Sequence, residues 1–249
     1  MKVIARGSGT VTAAATWTAR ARAFPARPPA LPQPLGVYPA TDAQGRRIII
    51  PTDSPDRFKL KVMEFNPIAA PDPAKWELEI GGLCEKPLKL MLADVKEFHS
   101  VKQNSRMKCV QCWSARINWE GFRSEEIFRV AQPRPSATHV RLDCQDKYYD
   151  YLTLGELLHP RTLFALGING EPLTPEHGAP LRVVLPFKYG YKSSKLIYKI
   201  TFVDHGGQGV VADTWPYYSQ TGDIAAGVDH PFDFPGETRK IKGGEILDY

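Results

Sequence analysis

Long apolar runs and closely paired cysteines are both scarce in this chain of 249 residues. No stretch approaches the roughly 20 apolar residues that a membrane-spanning helix needs, so we expect no transmembrane span. Four cysteines are too few for a small scaffold held together by disulfides. A structural zinc site would need two close pairs of cysteine or histidine, and the sequence has a single Cys-x-x-Cys, at Cys109 and Cys112.

Acidic residues are absent from residues 1–41, which hold five of the 32 lysines and arginines. These five account for the formal net charge of +5, so the rest of the chain is formally neutral. Nucleic-acid binding needs basic residues clustered on a folded surface, and the charge balance therefore does not indicate it. The composition, rich in Ala, Thr, Arg and Pro, predicts an extended leader over 1–41 and one large domain over 42–249.

The leader is also poor in hydrophobic residues. Its apolar stretch, Val11 to Trp17, is interrupted by threonines and is too weak for the hydrophobic region of a signal peptide. We therefore expect a cytoplasmic protein. The periplasm is the alternative if the start codon or the leader is atypical.

Sustained helical periodicity is scarce, and 22 prolines and 20 glycines interrupt the sequence. We therefore predict an α+β fold that is rich in β-strands, with short helices and long loops, and a packed loop from Asp204 onward. Asn169-Gly170 predicts a tight hairpin, because both turn positions need positive φ. Alternation predicts strands at 76–80 and 139–144, and the segments 163–168 and 171–173 flank the hairpin turn. Central strands are expected at 181–186 and 195–203. Helices are expected at 90–98, at 124–130 with Ser124 as N-cap, and at 153–158, which begins in the same way at Thr153.

Basic and aromatic residues surround a cysteine in residues 106–114, Arg-Met-Lys-Cys-Val-Gln-Cys-Trp-Ser. A positive neighbourhood lowers the pKa of a thiol, so Arg106 and Lys108 favour the thiolate of Cys109, the form that binds metals or attacks electrophiles. The aromatic residues would keep water out of such a site. A thioredoxin-type role for Cys109 and Cys112 is an alternative, although we expect Cys112 to be a buried, small apolar side chain.

Two blocks together carry a resemblance to a known family. The first is the cysteine segment followed by Trp-Glu-Gly-Phe at 119–122, and the second is Glu-His-Gly-Ala-Pro-Leu-Arg-Val-Val-Leu-Pro at 176–186, followed by Lys-Tyr-Gly-Tyr-Lys-Ser-Ser-Lys at 188–195. Their order and spacing resemble the sulfite oxidase superfamily of molybdopterin-dependent oxidoreductases. The cysteine motif is nearer to the periplasmic methionine sulfoxide reductases than to the sulfite oxidases. The resemblance covers about residues 58 to 215.

The resemblance implies a sulfite-oxidase-type molybdopterin-binding fold with one pyranopterin dithiolene that holds molybdenum. Soft sulfur ligands suit a metal that cycles by two electrons. The chain departs from its nearest relatives at Lys108, where they have Arg, at Cys144, where they have Thr, and at Leu60, where they have Asn. The implied site residues are Cys109 as metal ligand; Cys109, Arg106, Lys108, Trp113 and Tyr218 as catalytic residues; and Met63, Glu64, Cys144, His177, Arg182, Ser193, Ser194 and Lys195 as cofactor-binding residues.

Simpler interpretations of single residues stay open at this stage. Arg182 and Lys195 can each be an ordinary surface charge at a strand end, and His177 with the Ser193-Ser194 pair is what favours a cofactor site. We expect Trp119 to belong to the core, whereas Trp113 can belong either to the core or to the pocket.

The activity implied is two-electron oxygen-atom transfer, with reduction of an S-oxide or N-oxide favoured and sulfite oxidation as the alternative. A non-catalytic binding or electron-transfer scaffold that keeps the fold is the alternative of another class. The sequence has no haem-binding motif, so we expect a separate electron-transfer partner, haem- or quinone-linked. The leader lacks the twin-arginine signal of exported family members, and no immunoglobulin-like dimerisation domain follows, so we expect a monomer.

Overall fold

The computed structural model describes residues 47–49, 60, 62–67, 71–109, 114–215, 218–224 and 245–247. The predicted leader over 1–41 and most of the chain beyond Asp223 lie outside these residues. Within the described residues, no helix is both long and apolar enough to cross a membrane. Two short strands, β1 (Arg47–Ile49) and β12 (Glu245–Leu247), pair in parallel.

One five-stranded sheet carries the cysteine segment and is antiparallel throughout. The order is β10-β8-β5-β4, with β9 pairing to β8. Asn169 and Gly170 have φ of 53° and 90°, which confirms the predicted hairpin between β8 and β9. The strands are β4 (Val101–Lys108), β5 (Ser114–Phe122), β8 (Leu163–Ile168), β9 (Glu171–Pro172) and β10 (Arg182–Val184).

The second five-stranded sheet has the order β3-β2-β11-β6-β7. Its only parallel pair within the described residues joins β11 to β2; there the chain passes so close that a Cβ on Gly82 would lie 2.2 Å from the carbonyl oxygen of Phe202. Gly82 also has φ of +81°, so a side chain is disfavoured on both counts. The strands are β2 (Glu77–Gly82), β3 (Leu88–Met91), β6 (His139–Cys144), β7 (Tyr149–Thr153) and β11 (Ile197–Val203).

Side chains from both sheets form one buried apolar cluster, which includes Leu78 and Ile200 from the second sheet and Phe122 and Phe164 from the first. A smaller cluster lies under the cysteine segment and contains Met107, Cys109 and the fully buried Trp119. Trp119 is thus a core residue, as predicted.

The helices are short, as expected: α1 (Leu92–Lys96), α2 (Ser124–Ala131), α3 (Leu154–Leu157) and α4 (Val210–Thr214). The predicted cap of α2 was wrong, because Arg123 is the N-cap and Ser124 is already inside the helix. The predicted capping of α3 by Thr153 is confirmed.

Three other local predictions need correction. The 90–98 region is split between the end of β3 and α1, because Leu88–Met91 pairs with β2. Among the described strands, β10 is at the sheet edge rather than central, whereas β11 is central as predicted. The loop expected from Asp204 includes the helix α4.

Candidate functional site

Cys109 lies immediately after β4 and is 8% exposed. It lines a cavity of about 380 Å³, within the range of about 300–1,000 Å³ that small-molecule and cofactor sites occupy. The walls come from separate parts of the chain: the segment around Met63, the β6–β7 turn, the start of β10, the turn at 190–195, and the α4 region. The cavity is therefore formed by tertiary packing rather than by one motif.

Arg182, at the start of β10, is the most deeply buried cation of the cavity, with 4% exposure. Its guanidinium donates to the carbonyl oxygens of His177 at 3.0 Å and Ser193 at 3.3 Å, and lies 5.1 Å from the centre of the Trp119 ring. Burial lowers the pKa of Arg182 to about 10, so it remains charged at neutral pH. Its Nε is buried and has no hydrogen-bond partner among the described residues.

Lys195, in the turn at 190–195, also lines the cavity and lies near enough to Arg182 to be affected by its charge. Its Nζ donates to the carbonyl oxygen of Glu176 at 2.7 Å and to that of Met63. Burial, followed by the positive charge of Arg182, lowers the pKa of Lys195 to about 8. Both predicted cations are therefore part of the cavity, and the interpretation of them as surface charges is wrong.

His177 closes the short 3₁₀ helix Pro175–His177 and also lines the cavity. Burial, and then the nearby charges of Arg182 and Lys195, lower the pKa of His177, so its imidazole is neutral at neutral pH. A neutral imidazole can both donate and accept hydrogen bonds.

Ser193 and Ser194 line the cavity where the 3₁₀ helix Gly190–Lys192 ends. Ser193 Oγ accepts a hydrogen bond from the backbone N–H of Leu185 at 3.1 Å. Ser194 Oγ is buried with no nitrogen or oxygen partner among the described residues. The Cys144 thiol beside it is only a weak partner.

Met63 and Glu64 line the cavity from the opposite side, with Leu60 and Phe65. The segment is fixed at two points, because Lys195 holds the carbonyl oxygen of Met63 and Asn66 Nδ2 donates to the carbonyl oxygen of Asp146 at 2.8 Å.

The exposed side of the cavity carries aromatic and apolar side chains together with Glu64. Trp215 is 40% exposed and Met63 is 38% exposed, and Tyr218 lies beside Trp215 with ring centres 6.3 Å apart. Tyr218 also packs edge-on against Tyr191, at 5.4 Å. We call Met63, Trp215 and Tyr218 the mouth of the cavity.

Several predicted residues are not part of this lining. Lys108 is 1% exposed and its backbone pairs with Tyr189, so its placement does not support a contact with substrate. Cys144 is 3% exposed behind Ser194, and burial raises its pKa well above the usual value, so its thiol stays protonated. Arg106 pairs with Arg116 through the β4–β5 backbone. The side chain of Arg106, together with Cys112 and Trp113, lies outside what the structure describes.

Other cavity residues were missed by the sequence analysis: Met107, Asp146, Tyr148, Tyr191, Val211 and Trp215. Asp146 is the most polar of them; burial raises its pKa, and its carboxylate accepts from the backbone N–H of Tyr148 at 3.1 Å. Asp146 lies in the turn between β6 and β7, two residues after Cys144. Because Cys144 was already predicted to bind the cofactor, a carboxylate so close to it in the sequence could have indicated Asp146 as a site residue.

Comparison with known proteins identifies the family. The sequence profile of the oxidoreductase molybdopterin binding domain matches residues 65–211. The chain belongs to this family. The matched region contains Cys109, His177, Arg182 and the 193–195 turn, all of which line the cavity.

Curated relatives of this molybdopterin-binding domain include two catalytic subunits named protein-methionine-sulfoxide reductase MsrP. The protein from Gluconobacter oxydans is 35% identical over 181 residues, which cover 64% of this chain and 57% of the relative. That from Xanthomonas axonopodis pv. citri is 33% identical over 210 residues, covering 77% and 63%. The chain thus spans less than two thirds of the length of either relative.

A solved structure shows the same fold. The sulfane dehydrogenase SoxCD from Paracoccus pantotrophus matches with a TM-score of 0.53 and 19% identity, over 57% of this chain and 41% of that one. The predicted sheet-rich, sulfite-oxidase-type molybdopterin-binding fold is confirmed.

The cavity residues fit a molybdopterin. Its phosphate needs cations, which Arg182 and Lys195 supply, and its polar ring edge needs donors and acceptors, which His177 and Ser194 supply. The buried Arg182 Nε and Ser194 Oγ, left without strong partners, are the groups that such a ligand would satisfy. Cys109 offers the soft thiolate that molybdenum requires.

Proposed function

We propose that this protein is a molybdenum–pterin oxidoreductase that transfers an oxygen atom in a two-electron reaction, in the direction of S-oxide reduction, with N-oxides as related substrates. One observation carries the proposal: the buried thiol of Cys109, the buried cation Arg182, the half-buried cation Lys195 and the buried hydroxyls of Ser193 and Ser194 line one cavity in a molybdopterin-binding domain. The relatives named as methionine sulfoxide reductases support the S-oxide as substrate.

In the reaction R₂SO + 2 e⁻ + 2 H⁺ → R₂S + H₂O, the sulfur is reduced and its oxygen leaves as water. A molybdopterin bound in the cavity would supply the two-electron, oxygen-atom-transfer chemistry. Cys109 would hold its metal, and Arg182 and Lys195 would hold the anionic end of the pterin. The low exposure of Cys109, Arg182 and Ser194 limits the access of bulk water.

The mouth favours a neutral S-oxide over sulfite as substrate. Met63, Trp215 and Tyr218 carry no charge and offer apolar and aromatic surface, which binds the organic substituents on sulfur. Sulfite has no such substituent, and its charge would find no partner on these three side chains.

The electrons must reach the site from another protein. A haem- or quinone-linked donor is the partner class we propose, since the family's cofactor cycles between metal oxidation states and the chain has no haem-binding motif. The experiment therefore uses an artificial dye as donor, which removes the need for the natural partner.

The test is a metal and pterin analysis of the purified protein, followed by turnover of dimethyl sulfoxide, methionine sulfoxide, trimethylamine N-oxide and sulfite. We expect about one molybdenum and one pterin per chain and turnover of the S-oxides. Sulfite oxidation without S-oxide reduction would reverse the proposed direction. A protein that holds neither metal nor pterin after expression with molybdate would be the non-catalytic scaffold.

A further inference from the structure

A buried ion pair lies directly behind the cofactor-binding turn. Lys192 belongs to the 3₁₀ helix Gly190–Lys192, and its neighbours Tyr191 and Ser193 line the cavity, whereas Lys192 does not. Lys192 Nζ is 2.6 Å from Asp150 Oδ1 and 3.0 Å from the carbonyl oxygen of Tyr151. The side chains of Lys192 and Asp150 are 3% and 2% exposed.

The same pair contacts a second wall of the cavity. Gly209, the N-cap of α4, packs so closely against Asp150 that a Cβ there would lie 2.3 Å from Asp150 Oδ1. Val211 in α4 and Trp215 just after it both line the cavity. The position of the carboxylate of Asp150 therefore sets where this wall begins.

A third segment, 218–224, packs against Lys192. A Cβ on Gly222 would lie 2.4 Å from Cγ of Lys192, and the carbonyl oxygen of Gly222 accepts from the N–H of Tyr189 at 2.7 Å. The same segment, 218–224, contributes Tyr218 to the mouth, and its Ser219 carbonyl accepts from Tyr191 Oη at 2.6 Å. One ion pair thus touches the 190–195 turn, the start of α4 and the 218–224 segment.

Stability alone does not account for this pair. Taking two charges out of water is costly, and an apolar replacement for a buried pair is often as stable or more so. Asp150 Oδ2 is buried without a hydrogen-bond partner among the described residues. Burial raises the pKa of Asp150 to about 6 in spite of the lysine, which shows that its charged form is held at a cost.

We propose that Lys192 and Asp150 are positioning residues. They would fix the 190–195 turn, the start of α4 and the 218–224 segment relative to one another around the cofactor and the substrate. The inference rests on the proposed function, in that the cavity is taken to hold the molybdopterin. Loss of the pair should release the pterin faster and raise KM for the S-oxide, because the 190–195 turn and the mouth both shift. The maximal turnover per bound molybdenum should change little, since neither residue touches the reacting atoms.

The test is the double variant Asp150→Asn/Lys192→Met in the full-length holoenzyme, which removes both charges at similar volume. We expect the apo-protein of this variant to melt near the temperature of the unmodified apo-protein. In the holoenzyme, pterin release should be about tenfold faster and KM about tenfold higher, as is typical when groups behind a site's ligands are lost. The matched control is Glu79→Gln/Lys199→Met, which removes an exposed lysine–carboxylate pair of 2.7 Å between β2 and β11. That control should leave all three quantities unchanged.

A second variant keeps every charge and covers the case in which the double variant does not fold. Gly209→Ala inserts a methyl group against Asp150, whereas Gly155→Ala in α3 meets no atom closer than 3.9 Å. Gly209→Ala should speed pterin release and Gly155→Ala should not.

Unchanged pterin release in both the double variant and Gly209→Ala would overturn the positioning role. So would release that rises only in proportion to a fall in the melting temperature of the apo-protein, since that is the behaviour of a purely structural pair. Pterin release is measured by fluorescence without any substrate, so this result stands even if S-oxides prove not to be the substrate.

Discussion

Arg182 and Lys195 show how much a single residue's role depends on where folding places it. In the sequence each is a lone cation next to a strand, but in the structure Arg182 is buried, Lys195 is half-buried, and both line one cavity. Backbone oxygens hold them: His177 and Ser193 for Arg182, and Glu176 and Met63 for Lys195. Their charges are therefore preorganised for an anionic group.

The thiol of Cys109 gives the first prediction at this scale. Cys109→Ser should lower turnover at least about 100-fold, because a hydroxyl is a poor replacement for a soft thiolate on molybdenum. The melting temperature should stay close to that of the unmodified protein, since the two side chains are nearly the same size. Dye-linked turnover, molybdenum content and thermal melting decide the question. Near-normal turnover in a metal-loaded variant would mean that Cys109 is not the ligand.

The lowered pKa of Lys195, about 8, gives a pH dependence. The lysine is charged below that pH and neutral above it, so its attraction for the pterin phosphate is present below about pH 8 and is lost as the pH rises. Uptake of pterin by apo-protein should therefore weaken between pH 7 and pH 9. The measurement is made on apo-protein, because a bound phosphate would itself raise the pKa of the lysine.

Lys195→Arg is the matched control for that experiment. Arginine stays charged at every pH in this range, so uptake by the variant should depend much less on pH. The same decline in both proteins would assign the pH dependence to another group.

At the scale of elements, sequence reasoning succeeded where local chemistry decides the structure. Alternation predicted β6, Asn169-Gly170 predicted β8 and the turn that follows it, and the cap at Thr153 predicted α3. It failed for β10, because a short and mostly apolar segment does not distinguish a central strand from an edge strand that is covered by the rest of the fold. Ser124 is a residue type that often caps helices. Here it is already the first residue of α2, and the N-cap position is occupied by Arg123.

The two helix starts can be compared directly by mutation. Thr153 Oγ1 accepts from the N–H of Glu156 at 3.0 Å, and the Glu156 carboxylate accepts from the N–H of Thr153 at 2.8 Å. Thr153→Ala should therefore cost about 1 kcal/mol of unfolding free energy, which lowers the melting temperature by about 2–4 °C for a domain of this size. Pterin content should not change.

Ser124→Ala is the contrasting variant. Ser124 Oγ is buried without a partner among the described residues, so its removal should be neutral or slightly stabilising. Equal losses of stability in Thr153→Ala and Ser124→Ala would show that Ser124 does cap α2.

At the scale of the whole molecule, the site is shared between segments that are far apart in sequence. The cysteine segment and the 176–195 block could be assigned from their motifs, but Asp146, Tyr148, Val211 and Trp215 enter the cavity only through packing of both sheets and α4. No local pattern marks Tyr148, Val211 or Trp215, because a tyrosine in a turn or a valine in a short helix is common anywhere. The motifs indicated the residues of the cysteine segment and the 176–195 block, whereas these three lining residues depend on the fold.

A site assembled in this way ties the cofactor to global stability. A ligand that binds only the folded state stabilises it by about 2.7 kcal/mol at a hundred times its dissociation constant. Removal of the pterin should therefore lower the melting temperature by several degrees, and re-addition should restore it. Backbone amides at 190–195, 209–215 and 218–222 should exchange faster in the apo-protein, whereas those in the central strands β11 and β6, which lie in the core, should keep their protection. Uniform loss of protection across both sheets would instead mean that the whole fold, and not only the cavity walls, depends on the cofactor.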